Sequence, residues 1–440
     1  MATELERLEG LILETILSKL DAVNVAAVAG VSTRLHAAAS DDALWRRFCA
    51  RDFDLLDPLD PHGGPCPSFK ATYKAWFKSF GMYPLPLVRR AKQCWCSLRS
   101  WLAENFPEAN STLNKGASEA EIKFAEEELG FKFPLPTKVL YRFCNGQRTM
   151  TGNSSEKRRL ASLGIIGGYE FYDHIVNMHL LPLERIVSIT KLLTKELDFL
   201  ARRRLILVGA SLYFQKFVLL DCDSGQLFVG TKKLMFNGDM MPCVPKALVR
   251  LADDTPQDGL LLWLEEHCRR LQSGMIRTRV SRKLRSISLY PEAPPSCSLA
   301  VTNGVQVRAS AVFVPEASDP EGKSDNYYYT YSIRLSLLPE GCMLDGTYFS
   351  CCQLHSRHWI IRSRDNIVAN VQGEGVIGKY PLLQPNGEEF VYESCTPLPE
   401  APGSVEGSFT FVPGRLSKPE GSFFDVKVAP FVLEKPEYIF

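Results

Sequence analysis

The chain has 440 residues, enough for about three domains of ordinary size. Hydrophobic residues make up 45% and charged residues 23% of it, the proportions of packed globular domains, which excludes extensive disorder. A net charge of +1 argues against a protein built mainly to hold nucleic acid. No run approaches the roughly eighteen uninterrupted apolar residues that a bilayer span needs. Met1–Glu9 is acidic and leads into no apolar core with a small-residue cleavage site, so no secretory leader is expected. The 13 cysteines, scattered and odd in number, are expected as reduced thiols in the cytoplasm or nucleus.

Leu5, Leu8, Ile12, Ile16 and Leu20 recur at helical spacing, with Leu13 and Leu17 alongside. A break at Asp21, a small-residue run from Val23 to Gly30, then Val31–Leu35 and Leu44-Trp45 follow. A few short helices cannot bury so much aliphatic surface among themselves, so the surplus meets the rest of the chain or a partner. The segment resembles the F-box. Ile16, Leu17, Ser18 and Leu20 match its Ile-Leu-Ser-x-Leu; Val31, Ser32 and Arg34 match its second motif; Leu44-Trp45 matches its close. Two positions depart from the pattern: Leu8-Glu9 replaces Leu-Pro, which removes a preformed first helical turn, and Leu11 stands where an acid is common. The resemblance implies docking onto the Skp-type adaptor of a cullin ubiquitin ligase, with Leu8, Ile12, Ile16, Leu17, Leu20 and Val31 as apolar anchors. The alternative is a helical hairpin packed on its own domain.

A Pro/Gly-rich break at 57–67 precedes helical, aromatic-rich sequence through Tyr73, Trp76, Phe77 and Phe80. A second helix, Ala91 to Phe106, carries Trp95, Leu98, Trp101 and Leu102 on one stripe. Cys94 and Cys96 on it diverge by about 200°, too far apart to share a ligand site. Ser118 and Glu121 form a capping-box pattern leading into Ile122, Phe124, Ala125 and Leu129, and Gly130 ends that helix. A short helix from Val139 to Phe143 is followed by a polar loop, Gln147 to Arg159. Strands are predicted at Leu160–Ile166, Leu205–Ala210, Phe217–Asp221 and Leu227–Gly230, and a helix at Gly259–Leu271. Ser118, Glu121, Ile122, Glu127, Leu129-Gly130, Leu135-Pro136, Tyr141, Asn145-Gly146 and the Leu219–Gly225 hairpin together resemble the SUKH superfamily of cell-wall regulators and immunity proteins. That resemblance implies a protein-binding module. Ser273 to Arg285, with five basic residues, reads as a solvated linker or first strand; a nucleic-acid or nuclear-import role is the alternative.

From Val301 apolar and polar residues alternate between turn signals: Val305–Val314, Tyr327–Leu337, Thr347–Leu354, Trp359–Arg362, Glu389–Glu393 and Phe423–Val428. Many short strands without a helical period read as an antiparallel β-sandwich. Tyr329-x-Tyr331-x-Ile333, Gln353–Ile361, Val371–Gly378, Pro381–Leu383, Phe390-x-Tyr392-x-Ser394, Gly403-Ser404, Gly407-Ser408 and Phe431-x-Leu433 resemble the ApaG family, whose fold is an immunoglobulin- or fibronectin-like sandwich.

Gly373, Gly375 and Gly378 spell G-x-G-x-x-G, but Tyr380-Pro381 forbids the helix a dinucleotide site requires. A tight inter-strand loop is expected; exposed amides there are kept as a candidate anion or ligand loop, in line with the phosphate-type ligands suggested for bacterial relatives. Cys351, Cys352, His355 and His358 look superficially zinc-like, yet on a strand the two histidines point to opposite faces, and no metal or other cofactor is expected. No nucleophile elbow is present, so the chain does not read as an enzyme.

The expected architecture is multidomain α+β. It comprises a helical F-box (1–50), a helical connector (51–100), an α/β SUKH-like domain (101–272), a basic linker (273–290) and an all-β ApaG sandwich (291–440). The expected function is substrate recognition in a Skp–cullin–F-box ligase, with unknown substrate proteins and no membrane or nucleic-acid partner. The alternatives are a non-ligase interaction scaffold, or an ApaG domain that binds a phosphate-type small ligand.

Overall fold

The computed structural model describes residues 10–148, 154–172, 174–281, 283–320 and 326–439. Four short helices come first: α1 (Gly10–Lys19), α2 (Ala22–Val28), α3 (Thr33–Ala39) and α4 (Asp42–Phe53). Capping side chains set the breaks between them. Asp21 accepts from the backbone N–H of Asn24, Ser32 from Leu35 and Asp41 from Ala43, satisfying donors that helix starts leave orphaned. Their inward residues, Leu13, Leu17, Val25, Leu35, Leu44 and Phe48, are buried. That core continues into α5 (Phe69–Phe80) and α6 (Leu85–Asn105). Tyr73 packs edge-on against both Trp45 and Phe53, with ring centroids 5.3 Å apart in each pair. Its hydroxyl donates to the buried Asp52 at 2.8 Å. The segment read as a connector therefore supplies the core that four short helices lack.

The middle of the chain begins with α7 (Pro107–Asn110), α8 (Glu119–Leu129), α9 (Leu135–Phe143) and α10 (Ser154–Ala161). The capping box at Ser118 is complete: Glu121 accepts from the Ser118 backbone N–H at 2.7 Å, and Ser118 Oγ accepts from the Glu121 N–H at 3.2 Å. A hairpin, β1 (Gly167–Phe171) and β2 (His174–Leu180), leads to α11 (Leu183–Glu196) and α12 (Asp198–Arg202). Next come β3 (Leu205–Ser211), β4 (Phe217–Asp221), β5 (Leu227–Gly230), α13 (Leu234–Asn237), β6 (Met240–Pro242) and α14 (Gly259–Gln272). Three predictions fail here: the loop read from Gln147 to Arg159 holds the start of α10 at Ser154. Leu160–Ile166 is the end of α10 and a turn rather than a strand, because a short apolar run carries no period that separates a strand from a buried helix end. The basic segment after Ser273 is not the 273–290 linker but takes the strand alternative: β7 (Arg277–Ser281) and β8 (Leu284–Ser288) pair with each other, and β8 joins β1 in parallel. The result is one eight-stranded sheet, ordered β6-β5-β4-β3-β2-β1-β8-β7.

The sandwich has two layers. The first sheet contains β9 (Ser298–Thr302), β10 (Val305–Phe313), β11 (Tyr327–Leu337) and, at its far edge, β17 (Phe390–Leu398). A small hairpin, β12 (Cys342–Leu344) and β13 (Thr347–Phe349), leads into the second sheet. That sheet is built on β14 (Cys352–Ser363), flanked by β15 (Asn366–Glu374), the short β16 (Leu382–Leu383) and β18 (Gly403–Arg415). β18 also pairs with β19 (Lys418–Pro419) and β20 (Phe424–Leu433). Period-2 alternation sends Val307, Ile333, Trp359, Phe409 and Val426 into the shared core, where Trp359 meets Phe409 edge-on at 5.3 Å.

Sandwich and middle unit are locked together. Glu292, 1% exposed, receives Arg279 at 2.7 Å, Arg308 at 3.2 Å and Arg334 at 3.1 Å. Lys216, just before β4, donates to the Tyr169 hydroxyl of β1 at 2.8 Å, which donates on to Glu316 of the sandwich at 2.7 Å. Ile439, near the C-terminus, donates its N–H to the Pro242 carbonyl of β6 at 2.9 Å.

Candidate functional site

Helix α1 has two apolar faces. Leu13 and Leu17 point inward, Leu17 being 1% exposed, whereas Leu11 (77% exposed), Ile12 and Ile16 point outward. The i, i+4 spacing keeps each pair on its own face. The helix is fixed to α4 by Glu14, which pairs with Arg47 at 3.1 Å, and by the Leu20 carbonyl, which accepts from Arg51 at 3.3 Å. Val23 on α2 and Val31 before α3 are also exposed, so four short helices leave five large aliphatic side chains facing outward. Such a surface has the chemistry of a protein-docking face.

Of the six anchors read from the sequence, Ile12, Ile16 and Val31 lie on the surface. Leu20 is partly buried against the core. Leu17 is corrected: it fills the space between α1 and the following helices and is unavailable to a partner. Leu8 lies outside the described residues. Sequence reasoning missed Leu11 and Val23. Leu11 was visible as an apolar residue at a commonly acidic position, and that departure was the signal.

The glycine loop is a tight turn between β15 and β16. Gly375 and Gly378 have φ of 55° and 71°, and Ile377 between them has φ 44°. Val376 and Lys379 exchange both backbone hydrogen bonds, at 2.9 and 2.8 Å, and the Gly375 N–H donates to the His355 carbonyl at 2.8 Å. Three amides of the loop are thus taken up, two within the turn and one by β14. Arg357 donates to the Glu374 and Gly375 carbonyls, at 3.2 and 2.7 Å, instead of facing outward as a counter-charge. Gly373 is in the strand, and a Cβ there would lie 3.1 Å from the Arg357 guanidinium. His355 packs on Phe423 while His358 meets Asn370 at 2.7 Å, so the two histidines have separate surroundings. Among the described residues no group of three or more His, Cys, Asp or Glu side chains could hold a metal ion.

The middle unit carries an open groove of about 940 Å³ whose lining includes Phe124, Ala125, Leu183 and Val187, with charged residues such as Glu128 and Lys191 around them. Phe124 is exposed, which makes the groove a second apolar surface.

Comparison with known proteins bears on these surfaces. The F-box-like family model matches residues 12–51, and the ApaG domain model matches residues 316–413. F-box protein SKIP16 from Arabidopsis thaliana is 52% identical over 442 aligned positions, covering 99% of this chain and 100% of that protein. The chain belongs to the SKIP16 family of F-box proteins. The 12–51 match runs from within α1 to within α4, so Ile12 and Ile16 of the exposed face lie inside it and Leu11 just before it. Human F-box only protein 3 is 26% identical over 413 positions, covering 90% of this chain and 76% of that protein. Protein ApaG from Dechloromonas aromatica is 38% identical over 132 positions, which is 30% of this chain and 91% of that protein. The same sandwich therefore stands in a bacterial protein that matches only this part of the chain.

Proposed function

We propose that this F-box protein is the substrate-recognition subunit of a Skp–cullin–F-box ubiquitin ligase. The observation that carries the reading is the outward face of α1, where Leu11, Ile12 and Ile16 are exposed on a helix whose opposite face is anchored in the core. Burying such side chains stabilises a complex by roughly 25 cal/mol per Å² of apolar surface before association costs. The adaptor covers this face together with Val23 and Val31, and through the adaptor the chain reaches a cullin. The middle unit acts as a SUKH-like protein-binding module and, with the ApaG sandwich, presents the substrate. The receptor performs no bond chemistry. It raises the local concentration of a substrate lysine near a ubiquitin thioester held by other subunits. The free, mostly buried thiols support action in the cytoplasm or nucleus. Co-expression of the full chain with a Skp-type adaptor tests the proposal: a single stoichiometric peak in size exclusion is expected, and separate elution of the two proteins contradicts it.

A further inference from the structure

The sandwich covers most of its sheet edges. β17 is capped by the middle unit, where the Glu170 N–H donates to Glu393 at 3.1 Å. β9 leans on β20, with Ser298 donating to the Ala429 carbonyl at 3.0 Å. β15 is different: it pairs with β14 and, among the described residues, with no other strand.

Edge strands are normally defended by charge, proline, shortness or a cover. β15 runs for 9 residues, and Asn366 to Gly373 contains neither a charged residue nor a proline. Ile367, 53% exposed, and the exposed Val368 and Val371 supply β-branched side chains suited to strand pairing. The direction of its backbone groups follows from one hydrogen bond. Gly375 donates its N–H to His355 on β14. Alternate residues of an antiparallel strand turn their backbone groups to the same side, so those of Asn370 and Gln372 and the N–H of Glu374 face away from β14, the Glu374 carbonyl being taken by Arg357.

We propose that β15 is a docking edge for an extended segment of a partner protein, which joins the sheet as an added strand. A single strand-on-strand contact of this length is smaller than the roughly 1,200 Å² that stable specific assemblies bury, which favours a peptide segment over a second copy of the chain. Main-chain hydrogen bonds align the segment, and its β-branched or aromatic residues pack beside Ile367, Val368 and Val371. A basic residue in it meets Glu374. Under the receptor reading the segment belongs to a substrate; the docking itself stands apart from adaptor binding, so either can fail alone.

The test uses the full chain and an acetylated peptide of alternating valine and threonine, as long as β15 and carrying one terminal lysine. Saturable binding by fluorescence anisotropy is expected, with amide hydrogen exchange at Asn370, Gln372 and Glu374 slowed about tenfold. Gln372→Pro removes an outward N–H without touching the β14 ladder and is expected to weaken binding at least about tenfold. The same peptide N-methylated at alternate residues is expected not to bind, a result that needs no altered protein. Absence of binding at millimolar peptide, or binding by the N-methylated form, overturns the proposal. A dimer of the free chain in light scattering that Gln372→Pro dissolves overturns it too, by assigning the edge to a second copy.

Discussion

At Ile16 and Leu17, adjacent side chains on one helix have opposite roles. Leu17 fills the core while Ile16 stays at the surface. Leu17→Ala is expected to destabilise the protein by about 2–5 kcal/mol in chemical denaturation, from lost burial plus the cavity left behind. A second residue couples stability to pH. Burial, and then the neighbouring Glu170, push the Glu393 carboxyl up from 4.5 to about 7, although the Glu170 N–H and the Tyr290 hydroxyl oppose the shift. Between those values the folded protein keeps a proton that the unfolded chain releases. Stability from this group is therefore full below about 4.5 and lost as pH rises through about 7. Glu393→Gln is expected to flatten that decline; an unchanged slope in denaturation midpoints across this window contradicts the assignment. At this scale the apolar periodicity placed helix α1 but could not say which of its aliphatic residues face out. The motif spacing spans both faces, and only packing against α4 and α5 separates them.

Elements differed in how far they could be read. α14, β4, β5 and β11 match the predicted spans within a residue, because each has a strong period with a cap or turn signal at its ends. The stretch from Leu160 to Leu180 misled or stayed silent. Its helix end, and the hairpin of β1 and β2, are fixed by long-range partners such as Gln147, which donates to Thr112 at 2.7 Å and to the Leu163 carbonyl at 2.8 Å. The pairing of β8 with β1 likewise spans more than a hundred residues and leaves no local signature. The glycine loop was legible as a turn, since Gly375 and Gly378 take the left-handed angles such turns demand. Ile377 was not: a β-branched residue at φ 44° stores strain. Ile377→Gly is expected to stabilise the protein by about 1 kcal/mol, read as a raised denaturation midpoint with unchanged slope. A fall in the midpoint contradicts the strain assignment.

Over the whole molecule, the F-box helices, the eight-stranded sheet and the sandwich share continuous packing and buried polar ties. Under the proposed receptor role, such packing keeps the adaptor face and the substrate surfaces at set separations, which suits delivery of a bound substrate to a distant thioester. The domain order was legible because the F-box and ApaG motifs are dense. The fusion of the basic segment into the middle sheet was not, because Arg279 and Arg308 find Glu292 and Glu389 only after folding. The proposed role rests on the outward face of α1 binding a Skp-type adaptor. Calorimetric titration of that adaptor against the full chain and against Ile12→Asp/Ile16→Asp tests it most directly. Wild-type binding and a loss of at least about a hundredfold in the variant, with its unfolding transition unchanged, is the predicted result. Equal affinity for the two proteins, or none for the wild type, would contradict it.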